Sequence, residues 1–313
     1  ALGTAAELTA AEAQIAEFDR WFDWTSRGEL KFSWQFPRRW YRMPQAVPAY
    51  RYAKGDRDAF RRITSDMIAI TDPTVDYAGS DFVFVLLPRK IRLGSPDVLW
   101  ANAGIATAEG TVPNLFGGAE YFYDRGYDLW SAWVHEWGHP MGLAGHAPRS
   151  AISIMDNQNG ASAVLNVWDT LLAGWIDATE LYCMPTTMTS LEMALIPLER
   201  RERGPRGIVV PISATNAVVI ESHRPEGWGS RMRAGTDAIA AYWVDTTKDT
   251  DRYGSSGGYT DTDEGDKWAD HLGPEGRTRQ YDLLLPGDSV TYRGVTVTVV
   301  RSGAYDTVRV TRG

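Results

Sequence analysis

Cysteine is almost absent: Cys183 is the only one in 313 residues, so no disulfide can form within the chain. That excludes a small fold stapled by disulfides, and the length suffices to bury a large core, with two units the usual expectation. No apolar run approaches the ~20 residues that span a bilayer. Cations are outnumbered, with 32 lysines and arginines against 40 acids and a formal charge of −8. No basic cluster is long enough to form a phosphate-binding stripe, which argues against nucleic acid as a partner. The locally basic run from Glu199 to Arg206 is interleaved with acids and a Gly-Pro pair, and reads as a solvated turn.

Histidine is scarce too, yet three of the five fall within the twelve residues His135-Glu136-Trp137-Gly138-His139-Pro140-Met141-Gly142-Leu143-Ala144-Gly145-His146. On a helix, His135 and His139 share a face, because four residues nearly complete a turn. Both imidazoles can therefore reach one tetrahedral zinc ion at about 2.0–2.1 Å. Glu136 does not share that face, but its carboxylate can lean over an open fourth position and take a proton from water. Gly142 lets the helix stop and the chain turn back, so that His146 can approach the same ion. The bland alternative is a buried helix whose histidines only pack and hydrogen-bond. The crowding of histidines favours the metal.

This stretch resembles the HExxHxxGxxH zinc signature of metzincin metallopeptidases, with the last histidine one residue late. It is similar in particular to the HExGHxxGL core of the immune inhibitor A family of secreted bacterial metallopeptidases and, more distantly, to that of the snapalysins. Ser153-Ile154-Met155-Asp156 resembles the Met-turn, a methionine lying beneath the zinc. The segment from Asn166 to Ile176, with Trp168-Asp169 and Gly174-Trp175, resembles the helix that follows in immune inhibitor A relatives. The resemblance further takes in Asp72 to Leu87, Val219 to Arg224 and Leu285 to Val290. It implies a secreted zinc endopeptidase acting on proteins or peptides; a separate reading is a glycoprotein or dedicated propeptide substrate recognised by the tail domain. Its implied ligands are His135, His139 and His146, with Glu136 as general base.

Two departures leave alternatives open. The extra residue before His146 alters the return loop, and Asp156 or Asp169 would serve as third ligand if His146 fell short. With Asp169 in that role the enzyme would be a gluzincin-like zinc hydrolase. Pro140 removes the amide that would bond the Glu136 carbonyl, so the helix is expected to kink or tighten there. A third reading is a non-catalytic surface-binding module on a peptidase scaffold, against which the intact Glu136 argues. No tyrosine follows Met155, so the oxyanion partner is left to Asn157 or a remote tyrosine.

The expected fold class is α+β: a metzincin-like catalytic domain over residues 1–180, then a β-sandwich or jelly-roll-like domain over 181–313. Thr9 and Glu12 make a capping-box pattern, continued by Ile15, Phe18 and Phe22. A second amphipathic helix starts near Asp58, and Phe82 to Leu87 reads as a buried strand. Gly104 to Ala119 is assigned, through the resemblance, the edge strand that pairs with substrate. The zinc helix is expected over Tyr127 to Gly142. In the tail, Gly207–Pro211, Ala217–Ile220, Ala238–Val244 and Val290–Val300 read as strands. The acidic stretch Asp245 to Asp266 either binds Ca²⁺ or stays solvated, and its spacing does not match an EF-hand. His223 lines the cleft or pairs with Glu221, the structural role being preferred. His271 reads as surface, and the tryptophans as core.

Overall fold

The first helix begins one turn before the capping pattern at Thr9 and Glu12. Thr4 is the cap: the Glu7 amide donates to Thr4 Oγ1 (3.2 Å) and the Thr4 amide donates back to Glu7 Oε2 (2.7 Å). Helix α1 then runs Ala5–Thr25. Glu12 instead receives Arg38 at 2.6 Å. A computed structural model describes residues 3–50, 57–91, 100–117, 128–143, 146–148, 152–233, 238–248, 268–273 and 283–313. The chain is mixed α+β, with mostly antiparallel pairing and few helices. Its two compact units comprise residues 1–23 with 28–137, and 24–27 with 138–313. No described helix is long and apolar enough to cross a membrane.

In the first unit, helix α2 (Arg57–Thr71) buries Ile63, Met67 and Ile68 at helical spacing. The sheet has the order β1-β3-β2, from Phe82–Val85, Trp100–Thr107 and Gly110–Gly117. β3 lies in the middle, parallel to β1 and antiparallel to β2. The segment expected to form the edge strand is therefore mostly central, because it doubles back on β2; the edges among the described strands belong to β1 and β2. Ala119 itself lies outside the described residues.

Helix α3 (Leu129–Gly138) packs through tryptophans onto β1. The rings of Phe84 and Trp133 stack with centroids 4.8 Å apart, and those of Phe82 and Trp137 lie 4.6 Å apart. Residues four apart on a helix here meet residues two apart on a strand, so the two periodicities agree. Each aromatic pair contributes about 0.5–1.5 kcal/mol beyond simple burial. His135 lies about 200° round the helix from Trp133, which turns it away from β1. At the helix start, Gln14 accepts the Trp130 amide at 3.1 Å, satisfying an end donor.

In the second unit, helix α4 (Val167–Leu172) is capped by Asn166. Strands β4 (Leu181–Cys183), β6 (Gly207–Pro211), β7 (Asn216–His223), β8 (Ala238–Asp245) and β9 (Ala269–His271) form one sheet in that order. β10 (Ser289–Tyr292), β11 (Val295–Arg301), β12 (Asp306–Arg312) and β5 (Ser190–Leu195) form the other. Inward residues of both sheets, among them Ile208, Val218, Ile220, Val297, Val308 and Val310, meet in a single core. Among the described strands, successive neighbours are joined mainly within a sheet, without the alternation between sheets that a jelly roll requires. The run Val290 to Val300 is a hairpin, because Arg293 (φ 47°) and Gly294 (φ 80°) adopt the left-handed turn that reverses the chain.

One buried ion pair ties the sheets together. Arg224, at the end of β7, grips Asp306 of β12 with two bonds of 2.6 and 2.7 Å, and Ser222 Oγ donates to the same carboxylate at 2.6 Å. The Glu199 to Arg206 run is only partly the solvated turn expected, since Glu199 and Arg206 are buried. Arg206 satisfies its guanidinium on Glu180 and on the carbonyls of Leu198, Arg200 and Glu202. The interleaved acids hid this, because burial here depends on carbonyls that no local pattern specifies. Most of the Asp245 to Asp266 stretch, with its calcium expectation, lies outside the described residues.

Candidate metal centre

Helix α3 delivers its histidines at the last moment, and the sequence explains how. Pro140 has no amide to give the Glu136 carbonyl, so regular helix ends at Gly138. The next turn tightens, with the Met141 amide bonding Gly138 O at 3.1 Å. Gly142 N then bonds His139 O (2.9 Å) and Leu143 N bonds Gly138 O (3.0 Å). With Gly142 at φ 90°, this pair of bonds is a Schellman cap. A side chain at that φ would be strained, which is why glycine stands there.

The chain returns at His146, which also has a left-handed backbone, φ 59°. Its amide is pinned to Met155 O at 2.6 Å. Met155 sits in a turn closed by Asp156 N and Asn157 N on Ser153 O, at 3.1 and 3.0 Å. Its side chain is fully buried. A Cβ built at Gly138 would lie 2.7 Å from Met155 Cε, so the helix end rests directly on the thioether. The methionine turn and the third histidine are thus mechanically joined, which spacing alone did not reveal.

These devices bring His135, His139 and His146 together, with one ring nitrogen of each no more than 4.8 Å from the others. A tetrahedral ion at about 2.0–2.1 Å needs nitrogens about 3.4 Å apart, a gap that a modest turn of the rings closes. His139 Nδ1 lies 3.2 Å from the Leu143 carbonyl oxygen. A carbonyl only accepts, so Nδ1 carries the proton and Nε2 keeps its lone pair for a metal. The rings of His139 and His146 are nearly parallel, 17° apart, at 5.6 Å. Burial pushes the His146 imidazole below its ordinary value, favouring the neutral form that ligates. The residues fit a divalent ion, and the three histidines could hold one.

Glu136 is buried next to the first of these ligands, and desolvation raises its carboxyl to about 7. The other expected site residues are placed elsewhere. Asp156 and Asp169 are not members of the ligand cluster found among the described residues. Asp169 is buried in the first turn of α4, where Asn166 Nδ2 donates to its Oδ2 at 2.8 Å. Burial first, then the charge of Glu221, raises its carboxyl to about 8. Asn157 is exposed, and its side-chain oxygen accepts the Asn159 amide at 2.9 Å in a local turn.

His223 is fully buried between two carboxylates, with Nδ1 2.9 Å from Glu199 Oε1 and Nε2 2.9 Å from Glu221 Oε1. Burial opposes its charge, but Glu199 and then Glu221 outweigh that and push it up to about 10. Both ring nitrogens therefore donate. Glu221 also accepts the Val167 amide (2.7 Å) and the Tyr242 hydroxyl (2.9 Å), which anchors the start of α4 to β7 and β8. The adjacent Glu221 gave a sequence signal for one half of this bridge; Glu199 and Tyr242 gave none. His271 is not a surface residue, because both ring nitrogens are buried and desolvation lowers it to about 3.

Compared with known proteins, the chain matches no family model, and no curated protein matches it.

Proposed function

We propose that this protein is a secreted zinc-dependent endopeptidase of metzincin type, cleaving peptide bonds in proteins or peptides. The observation that carries the reading is the convergence of His135, His139 and His146 beside a buried Glu136. Three imidazoles and no thiolate suit zinc in a catalytic setting, where a fourth position stays open. Bound there, zinc would act as a Lewis acid on the scissile carbonyl and make a water molecule easier to deprotonate.

The chain's own residues supply the rest. The Leu143 carbonyl fixes the His139 tautomer, and the Met155 turn holds His146. Glu136 takes the proton from the attacking water and returns it to the leaving amine nitrogen. Its burial keeps bulk water from competing for that proton. An extended substrate can align by backbone pairing along β1 or β2, the edges of the first-unit sheet among the described strands. Secretion and a bacterial context belong to the same proposal.

Glu136→Gln decides the matter. It should retain one zinc per chain by elemental analysis and lose about 10²–10⁴-fold of peptide-library cleavage. Phenanthroline should likewise silence cleavage by the wild-type protein. Wild-type protein purified without chelator yet holding no transition metal would sink the proposal, as would undiminished cleavage by the variant.

A further inference from the structure

The second unit contains a cavity of about 290 Å³ whose walls, among the described residues, carry Arg27, Arg200, Arg201, Arg203 and Arg206 and no aspartate or glutamate. This is unexpected in a chain with a formal charge of −8. The balancing acids stand outside the lining. Buried Glu180 holds both Arg27 (2.6 Å) and Arg206 (3.2 Å), while Glu226 holds Arg200. Such anchoring keeps guanidinium groups around a space, because like charges would otherwise spread apart into solvent.

Two groups on the wall lack an internal role. Thr25 is 8 % exposed, and its hydroxyl is buried with no hydrogen-bond partner among the described residues. Such a group destabilises the fold unless something fills its need. Arg203 is exposed and makes no hydrogen bond or ion pair among the described residues; its charge only adds to the Thr179 hydrogen bonds that lower the Asp177 carboxyl. Most of the remaining wall is apolar, with Trp24, Trp175, Ile176 and Leu198, and the Thr170 hydroxyl is spent on the Asn166 carbonyl (2.7 Å). A bare ion would leave that surface wet.

From this we infer that the cavity binds a phosphate or sulfate group carried on a small organic body. The guanidinium fork of Arg203 matches the tetrahedral oxygens, the other arginines add positive charge, the Thr25 hydroxyl supplies a further donor, and the indoles cover the body. The site is independent of the histidine cluster and needs no peptidase activity.

Isothermal titration of the intact chain at low ionic strength tests it. The probes are phenyl phosphate, phenyl sulfate, inorganic phosphate, inorganic sulfate and phenol. At least one phenyl ester should saturate a single site, about tenfold or more tighter than its inorganic ion and than phenol. Arg203→Gln and Thr25→Val should each weaken it by about tenfold or more, the worth of one charge-assisted bond. Arg203 is a surface residue, so its variant folds even if the buried substitution does not. Absence of saturable ester binding, or ester binding that neither substitution weakens, overturns the inference. Equal affinity for phenol, or for the inorganic ions, overturns it as well, since the site must hold the oxyanion and the organic body together.

Discussion

Gly138 and Met155 share one volume: a single methyl group at Gly138 would fall on the Met155 thioether, 2.7 Å from its Cε. The helix that carries His135 therefore ends against the turn whose carbonyl pins His146. Position 138 is glycine for lack of space, since nothing in its backbone conformation requires it.

Gly138→Ala should therefore destabilise the protein by about 1–3 kcal/mol, the usual cost of overpacking a filled core. Pairing it with Met155→Ala should cost less than the sum of the two single changes, because the second opens the space the first needs. Denaturant unfolding of all four proteins reads the coupling. Strict additivity would show that the two residues do not meet.

Metal content separates the candidate ligands. Replacing His135, His139 or His146 by alanine should abolish stoichiometric zinc, whereas Asp156→Asn and Asp169→Asn should leave it intact. Added zinc at about 1,000 times its Kd should raise stability by about 4 kcal/mol in the parent and by almost nothing in the histidine variants. Zinc lost with Asp169 but kept without His146 would reassign the third ligand.

His223 should make stability fall on the alkaline side. Its folded value of about 10 lies above the ordinary 6.5, so its contribution is complete below about pH 6.5 and disappears as pH rises through 10. His223→Gln leaves two buried carboxylates without their cation, at a cost of about 3–5 kcal/mol near neutral pH. Thermal melts between pH 6 and pH 10 should slope downward in the parent more steeply than in the variant. Parallel slopes would exclude an imidazolium at this position.

Asp169 has the opposite chemistry with the same sign of slope. Its folded value of about 8 exceeds the ordinary 3.8, so the fold prefers the protonated acid and loses stability as pH rises across that window. Asn mimics the protonated form. Asp169→Asn should match the parent near pH 4 and exceed it by about 1 kcal/mol or more at pH 8. A variant that is less stable at pH 8 would show that the ionised carboxylate is needed.

Much of this molecule is readable from local chemistry. The four-residue spacing of His135 and His139, the glycine that ends their helix and the proline that tightens it are short-range effects, written wherever the residues stand. The valine alternation of β11 belongs to the same class, since it needs only the strand period. The sequence pattern points to Thr9 for the α1 cap whereas Thr4 holds it, because Thr4 with Glu7 and Thr9 with Glu12 offer the same pattern and only contacts made elsewhere choose between them.

Sequence alone determined which residues could form the ligand set and the helix that presents two of them. Tertiary structure decided the long-range partnerships: Met155 beneath Gly138, Glu199 opposite Glu221 across His223, and arginines gathered around a cavity from a run that reads as solvated. The physical reason is range. Backbone geometry and capping act over a turn or two, whereas burial and charge pairing depend on partners tens of residues away, whose proximity exists only once the chain has packed.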